Sequence, residues 1–508
     1  MIEMLIDIDR SFQKTYRGTV LARTDQGVHM HQTVVTSTGA GRAAVRPVAA
    51  FLLLAAVQFV LIAAITVLSV ALPGIQREFG LSAGDLAFVS AAYGLSFSGL
   101  LMLGGRLTDL LGRRRVFIIG VALFTTASVA AALASGYAVL LAARFGQGVG
   151  AALAAPAAMA LLGVVFPDPV THRRMTAVWG TVASIGATAG TLLSGVVLTW
   201  ASWRWTMVLP AAVGLMAWVG GTRLLPAGPT PVRAEVDYLG ATLITAGLSA
   251  VSYALVAGAD HGLASPAVFV PLMAGVLLLA VFLLVEAKAA APLVPLAFLA
   301  SARRGAALLA VLLAAGAMSG VFFFLALYFQ QIRGLSPLAT SGAFVPFSAA
   351  LLVTGALAGR LIAGVGARTA TVAGLALAAV GLVLLGRLDA GGTHSGFLLV
   401  GLVVFPVGAG LTFSGATVAA VEGAPADRAG LAAGAVNTAM EIGPTVGLAL
   451  LVSVAGTATA QLPTVDMPAA VARGYGFAFT VAAAPLALCA CYAALALRPR
   501  NRQPKESS

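Results

Sequence analysis

Apolar residues in this chain come in long blocks separated by short polar stretches. From Val48 onward there are fourteen such runs, roughly 48–73, 85–105, 115–134, 138–165, 175–199, 205–224, 238–258, 266–286, 305–331, 337–360, 368–388, 395–420, 429–455 and 474–497. Each is close to the ~20 residues that an α-helix needs to cross a hydrocarbon core of ~30 Å. The pattern therefore predicts an all-α membrane protein with 14 transmembrane helices and, the number being even, both termini on one side. Residues 1–47 break the pattern. They are polar, mixed in charge and rich in Thr, Gly and Arg, and read as a disordered cytoplasmic tail; the first long apolar run starts too late for a signal peptide. Nothing upstream of Met30 is needed by the pattern, so Met30 is a second candidate start. Residues 498–508 are a short basic tail.

Composition agrees with the blocks. Hydrophobic residues make up 60% of the chain and charged residues 9%, against about 25% charged in an ordinary soluble domain. The net charge of +12 raises nucleic acid as a partner, but the cations lie at helix ends. Sorted by loop, one side keeps only Arg77, Arg204, Arg333, Arg387 and Arg473, while the other carries the rest together with both tails. By the positive-inside rule the crowded side is cytoplasmic in a cell membrane. The basic charge is topology, and no nucleic acid is expected. Cys489 and Cys491 stand two apart on one predicted helix and cannot bridge. His29 and His31 have no further ligands beside them, so neither a metal nor a cofactor is expected. No GxxxxGK[ST], HExxH or GxSxG motif occurs. The chain reads as no enzyme, and its energy must come from a gradient.

An internal repeat divides the chain. Gly105-Arg106-Leu107, Gly112, Arg114 and Gly120 recur with identical spacing as Gly359-Arg360-Leu361, Gly366, Arg368 and Gly374, after predicted helices 2 and 10. Two parallel six-helix bundles are implied, 48–224 and 301–497, with two inserted helices and their flanking loops at 225–300 between them. Such bundles place a cavity at their interface near the bilayer midplane and work by rocking.

The densest charge lies in the first copy of the repeat, GGRLTDLLGRRRVFIIG at 104–120. Its glycines allow sharp turns, and Asp109 can pair with the arginines across the turn. This stretch, with Gly105, Asp109, Gly112, Arg113 and Arg114, resembles the loop signature of the major facilitator superfamily. RFGQGVG at 144–150 resembles that family's helix 4 signature, TVLSVALPGIQREFGLS at 66–82 the helix 1 ending of its fourteen-helix drug:proton antiporter branch, and SWRWTMVLPAAVG at 202–214 the helix 6 entry. The resemblance covers about residues 50–497 and implies the major facilitator fold. It also implies that the Asp109 loop is a conformational latch docking against the other half when the protein opens outward; the alternative is a solvated loop that fixes topology. The chain departs from the branch at Ala64, where an aspartate is usual, and in helix 5, where Gly186-Ala187-Thr188-Ala189-Gly190-Thr191 replaces Gly-Pro-x-x-Gly-Gly.

Few ionisable residues lie inside the runs. Glu441 falls about thirteen residues into predicted helix 13, near the bilayer centre at ~1.5 Å per residue. A charged carboxylate there is costly, so Glu441 is expected to hold its proton much of the time. It is the candidate proton-coupling group in place of the one missing at Ala64, the alternative being a permanently protonated acid that ties helices together. Arg144, a few turns inside helix 4, is its candidate partner in coupling; attracting an anion and bonding backbone carbonyls are the other readings. Asn437, four residues before Glu441, shares its face and serves either cargo or packing. Tyr93, Phe97, Phe323 and Tyr328 are candidate walls of a substrate cavity, with lipid-facing aromatics as the alternative. Gly186, Gly190, Gly443, Pro444 and Gly447 are expected to set close packing or gating in helices 5 and 13. Asp85, Asp237, Glu286, Glu422 and Asp427, near helix ends, read as caps or interfacial charges.

The expectation is a monomeric exporter of small amphipathic organic compounds, drugs or antibiotics, driven by proton antiport through alternating access. The Ala-, Gly- and Arg-rich, lysine-poor composition points to a high-GC bacterium, where such exporters remove antibiotics. An uptake carrier for a nutrient or metabolite is the main alternative and would show more polar residues at cavity depth. A non-transporting membrane sensor would need a soluble domain.

Overall fold

The computed structural model describes residues 47–226, 238–261, 265–288, 301–389, 391, 395–422, 429–461 and 466–498. The tail around Met30, His29 and His31, the C-terminal tail beyond Arg498, and the loop acids Asp237 and Asp427 lie outside them. The described residues form helices throughout: α1 (Pro47–Phe79), α2 (Ala83–Leu111), α3 (Arg113–Ala132), α4 (Tyr137–Val165), α5 (Pro169–Trp200), α6 (Trp205–Leu224), α7 (Tyr238–His261), α8 (Pro266–Lys288), α9 (Ala302–Leu327), α10 (Pro337–Ala343), α11 (Val345–Leu385), α12 (Ser395–Val421), α13 (Ala429–Ala460) and α14 (Met467–Ala496). Among the described residues 11 segments are long and apolar enough to cross a membrane.

Local chemistry sets the boundaries. Ser82 and Asp85 form a reciprocal capping box at the start of α2, so Asp85 is a cap as expected. Asp168 caps α5 ahead of Pro169, and Ser336 caps α10 ahead of Pro337, each pairing a side-chain acceptor with a proline whose missing N–H costs nothing in the first turn. α11 is 41 residues long, about 60 Å at ~1.5 Å per residue. It is two helices meeting at Gly366, whose φ of 82° and ψ of 156° no side-chain-bearing residue holds without strain. Gly112, the matching glycine of the first repeat copy, has φ 91° and ψ 133° between α2 and α3.

Packing repeats as well. α3 lies on α4 and on α6, as the second arm of α11 lies on α12 and α14; α1 lies on α5 as α9 lies on α13. Arg114 donates to Thr222 O near the end of α6, and Arg368 Nη2 donates to Ala494 O near the end of α14 at 2.7 Å. α7 packs on α8, α2 and α13, while α2 meets α13, α5 meets α10, and α1 meets α9. Broad apolar faces remain exposed, as on α8 with Phe269, Val270, Met273, Leu277 and Leu284. Such faces suit a lipid solvent.

Candidate functional site

The site begins at a close approach of α4 to α2. A Cβ on Gly148 would lie 2.2 Å from Tyr93 O and 2.0 Å from Ser96 Oγ, so only glycine admits this contact. Ser96 Oγ then donates to Phe145 O at 2.8 Å across the two helices. This seats Arg144 beside Tyr93, its guanidinium carbon 5.0 Å from the ring centroid.

Arg144 is 1% exposed. Its Nη1 donates to Gln147 Oε1 at 2.9 Å and reaches Ala64 O at 3.4 Å. Gln147 Nε2 donates to Ser128 Oγ at 2.8 Å, and Ser128 Oγ to Phe124 O at 2.7 Å. Tyr93 donates its hydroxyl to Leu61 O at 3.0 Å. The guanidinium thus meets the backbone at Ala64, the position where the resemblance expects a carboxylate. Its Nε has no hydrogen-bond partner. Arg204 pairs with Glu78 and Arg303 with Glu422, but Arg144 forms no ion pair with an acid among the described residues, so its charge is buried without one. Burying a charge unpaired is costly.

Glu441 approaches from α13. It is half-buried, on the helix that packs on α2, the helix of Tyr93. One helical turn on from Glu441, Thr445 is buried against Gly94 of α2, and Thr438 and Thr445 have buried hydroxyls without partners. Asn437 is exposed and Phe97 is packed on Tyr93 at 5.7 Å between centroids. Arg144, Tyr93 and Phe97 gather where α4 packs on α2, and Glu441 lies on α13, which packs on α2 as well.

Other expected site residues lie elsewhere. Phe323 and Tyr328 are enclosed by packing: Phe323 sits edge-on to Phe324, which stacks on Tyr475 at 4.7 Å, and Tyr328 donates to Asp389 O at 2.7 Å. In the loop, Gly105 has open space above it and Asp109 is exposed. The expected pairing of Asp109 with the arginines across the turn is not formed. The turn at Gly112 sends Arg113 to Ala160 O at 3.3 Å and Arg114 to Thr222 O, carbonyls near helix C-termini that attract cations. The helix 5 and helix 13 glycines are packing surfaces. A Cβ on Gly190 would meet Ala63 O of α1 at 3.1 Å, and one on Gly186 would meet Phe59 O at 3.0 Å. A Cβ on Gly443 would lie 2.4 Å from Leu312 O of α9 and one on Gly447 2.3 Å from Gly316 Cα, while α13 runs unbroken through Pro444. Sequence reasoning gave no role to Gln147, although a glutamine in an apolar run is itself a signal.

The chain matches the family model described as Major Facilitator Superfamily over residues 54–448. It is 38% identical over 425 residues to the puromycin resistance protein pur8 of Streptomyces alboniger, covering 82% of this chain and 84% of that one. It is 35% identical to the cephamycin export protein CmcT of Amycolatopsis lactamdurans, covering 85% and 88%. Among solved structures it resembles the nucleoside transporter NupG, with a TM-score of 0.63 at 11% identity over 88% of this chain and 100% of that one; at that identity the likeness is one of fold.

Proposed function

Because this chain belongs to the major facilitator superfamily, it is a multi-pass membrane transporter related to drug and antibiotic efflux proteins and not an enzyme, and we propose that it exports small amphipathic organic compounds in exchange for protons. In this reading α1 to α9, the two arms of α11, and α12 to α14 make fourteen crossings. Residues 48–224 and 301–497 form two six-helix bundles that rock about a shared cavity, and α7 and α8 are inserted between them. Both tails lie in the cytoplasm, the protein acts as a monomer, and the Asp109 loop with Gly105, Gly112, Arg113 and Arg114 latches one state. The relatives named for puromycin resistance and cephamycin export support the cargo class.

The observation that carries the proton part is Glu441, a half-buried carboxyl on α13, the helix that packs on α2 where Tyr93 holds Arg144, with Thr445 one turn on from Glu441 lying against Gly94. A proton neutralises the acid inside the bilayer, and its loss leaves a charge that favours a different arrangement of the helices around it. Arg144 biases which arrangement that is. The experiment is efflux of a dye and antibiotic panel from cells, with and without a protonophore, followed by the same assay in vesicles under an imposed pH gradient. Wild-type export collapses with the protonophore and follows the gradient. Glu441→Gln, which keeps shape but cannot ionise, loses the response to the gradient; a variant that keeps the full response rules out Glu441 as the coupling group.

A further inference from the structure

α9 does not end as an α-helix. Its last turn, Tyr328–Ile332, is a π-helix, in which Arg333 N–H donates to Tyr328 O at 2.9 Å, five residues back. Leu335 N–H then donates to Phe329 O at 2.8 Å around Gly334, whose φ is 63°. A π turn fits one extra residue into the helical register and re-aims the side chains that follow, and such turns are frequent where helices do functional work. Here it delivers two adjacent glutamines to α1. Gln330 Nε2 donates to Val70 O at 3.0 Å, and Gln331 Nε2 donates to Gln76 Oε1 at 2.6 Å.

A third bond lies in the same layer. Ser341 Oγ of α10 donates to Thr191 O of α5 at 2.8 Å. Gly195 makes room for it: a Cβ there would lie 2.1 Å from Ser341 Oγ and 2.8 Å from Pro337 O. All three bonds tie the 48–224 stretch to the 301–497 stretch at the end where α1 and α5 finish. These contacts between the two stretches are polar and close.

We propose that the π turn Tyr328–Ile332, together with α10, is the gate that seals the outer end: Gln330 and Gln331 must release Val70 and Gln76, and Ser341 must release Thr191, before the cavity opens outward. The proposal rests on the alternating-access reading. Neutral amide and hydroxyl bonds suit such a gate, because each adds modestly to the closed state and all can be exchanged for water at once.

The test uses the full chain with Cys489 and Cys491 replaced by alanine. A single reporter, Thr340→Cys, at a position 0% exposed in the sealed layer, is labelled with a membrane-impermeant maleimide. Adding Gln331→Ala, an exposed position whose change leaves the fold alone, raises the labelling rate by about fivefold, the effect of one hydrogen bond on a two-state equilibrium. Gly195→Leu raises it further, because its side chain occupies the place of Ser341. In the cysteine-free background, Gln76→Cys with Gln331→Cys, joined by a short bifunctional thiol reagent, stops dye export, and reduction restores it. Unchanged labelling in both Gln331→Ala and Gly195→Leu overturns the gate, as does a joined pair that exports at the unjoined rate. If labelling responds as expected but no form of the protein exports any compound of the panel, the gate stands and the export reading falls.

Discussion

The two halves of the repeat share a scaffold and differ in chemistry. Gly120 and Gly150 bring α3 onto α4, and Gly374 and Gly408 bring the second arm of α11 onto α12 in the same way: a Cβ on Gly150 would lie 2.4 Å from Phe124 N, and one on Gly408 would lie 2.3 Å from Ala378 N. The residues placed alike around those contacts are not alike. Six and three residues before Gly150 stand Arg144 and Gln147; six and three before Gly408 stand Leu402 and Phe405, both buried. Four residues after Phe124 is Ser128, which accepts from Gln147; four after Ala378 is Leu382, 0% exposed. Glycine alone permits these backbone contacts, while the side chains around them are polar in one half and apolar in the other. The shared glycines hold the helices together in both halves, and the buried polar cluster belongs to one half alone.

The largest effect belongs to the shared scaffold. Gly150→Val and Gly408→Val each drive a branched side chain into a neighbouring backbone, so both are expected to cost ~3 kcal/mol or more through overpacking. Thermal unfolding in detergent and the yield of membrane-inserted protein measure it. A loss confined to one half would show that the glycine contacts are not equivalent. Next comes the polar difference. Arg144→Leu, which gives α4 the residue of α12, is expected to leave folding intact or improved, since it removes an unpaired buried charge, and to abolish proton-driven export. Stable, inserted protein without transport is the expected pair of readouts; retained export would make Arg144 a packing residue.

Much of the scaffold was legible in the sequence. The predicted runs 205–224 and 138–165 match Trp205–Leu224 and Tyr137–Val165 within a residue, because an apolar block of one bilayer's length admits little but a helix. Gly112 and Gly366 were visible as a repeat, and their shared left-handed φ explains why it spans a turn. Glu441 stood out because acids are rare at such depth. Helix rotation was not legible: hydropathy does not say which face a residue of an all-round apolar helix presents, so Phe323 and Tyr328 read as cavity walls although they pack inward. Of the partners of Arg144, Gln147 lies three residues on along the same helix, but Ala64 and Tyr93 come from two other stretches, and no local spacing reveals that meeting. The π turn was hidden too, since LYFQQIRG reads as an ordinary helix end. Asp109 misled for a simpler reason: opposite charges close in sequence invite a pair, but the turn carries the arginines to carbonyls of other helices.

The smallest predicted effect is the sharpest test of equivalence. Gly112 and Gly366 have φ of 91° and 82°, and an added Cβ at either meets nothing within 4 Å. Replacing either with alanine therefore adds no clash and exposes only the backbone cost of holding a side-chain-bearing residue in a region reserved for glycine, of order 1–3 kcal/mol. The two variants should lower the melting temperature by similar amounts, far less than the valine changes at Gly150 and Gly408. Their effects should also add in the double variant, since the two turns lie in different halves and share no partner. Similar stability losses with unequal transport losses would assign the Asp109 loop a conformational role that its copy lacks. Equal transport losses would make both turns hinges of one motion, and strongly unequal stability losses would break the correspondence between the halves at the place where the sequence displays it most clearly.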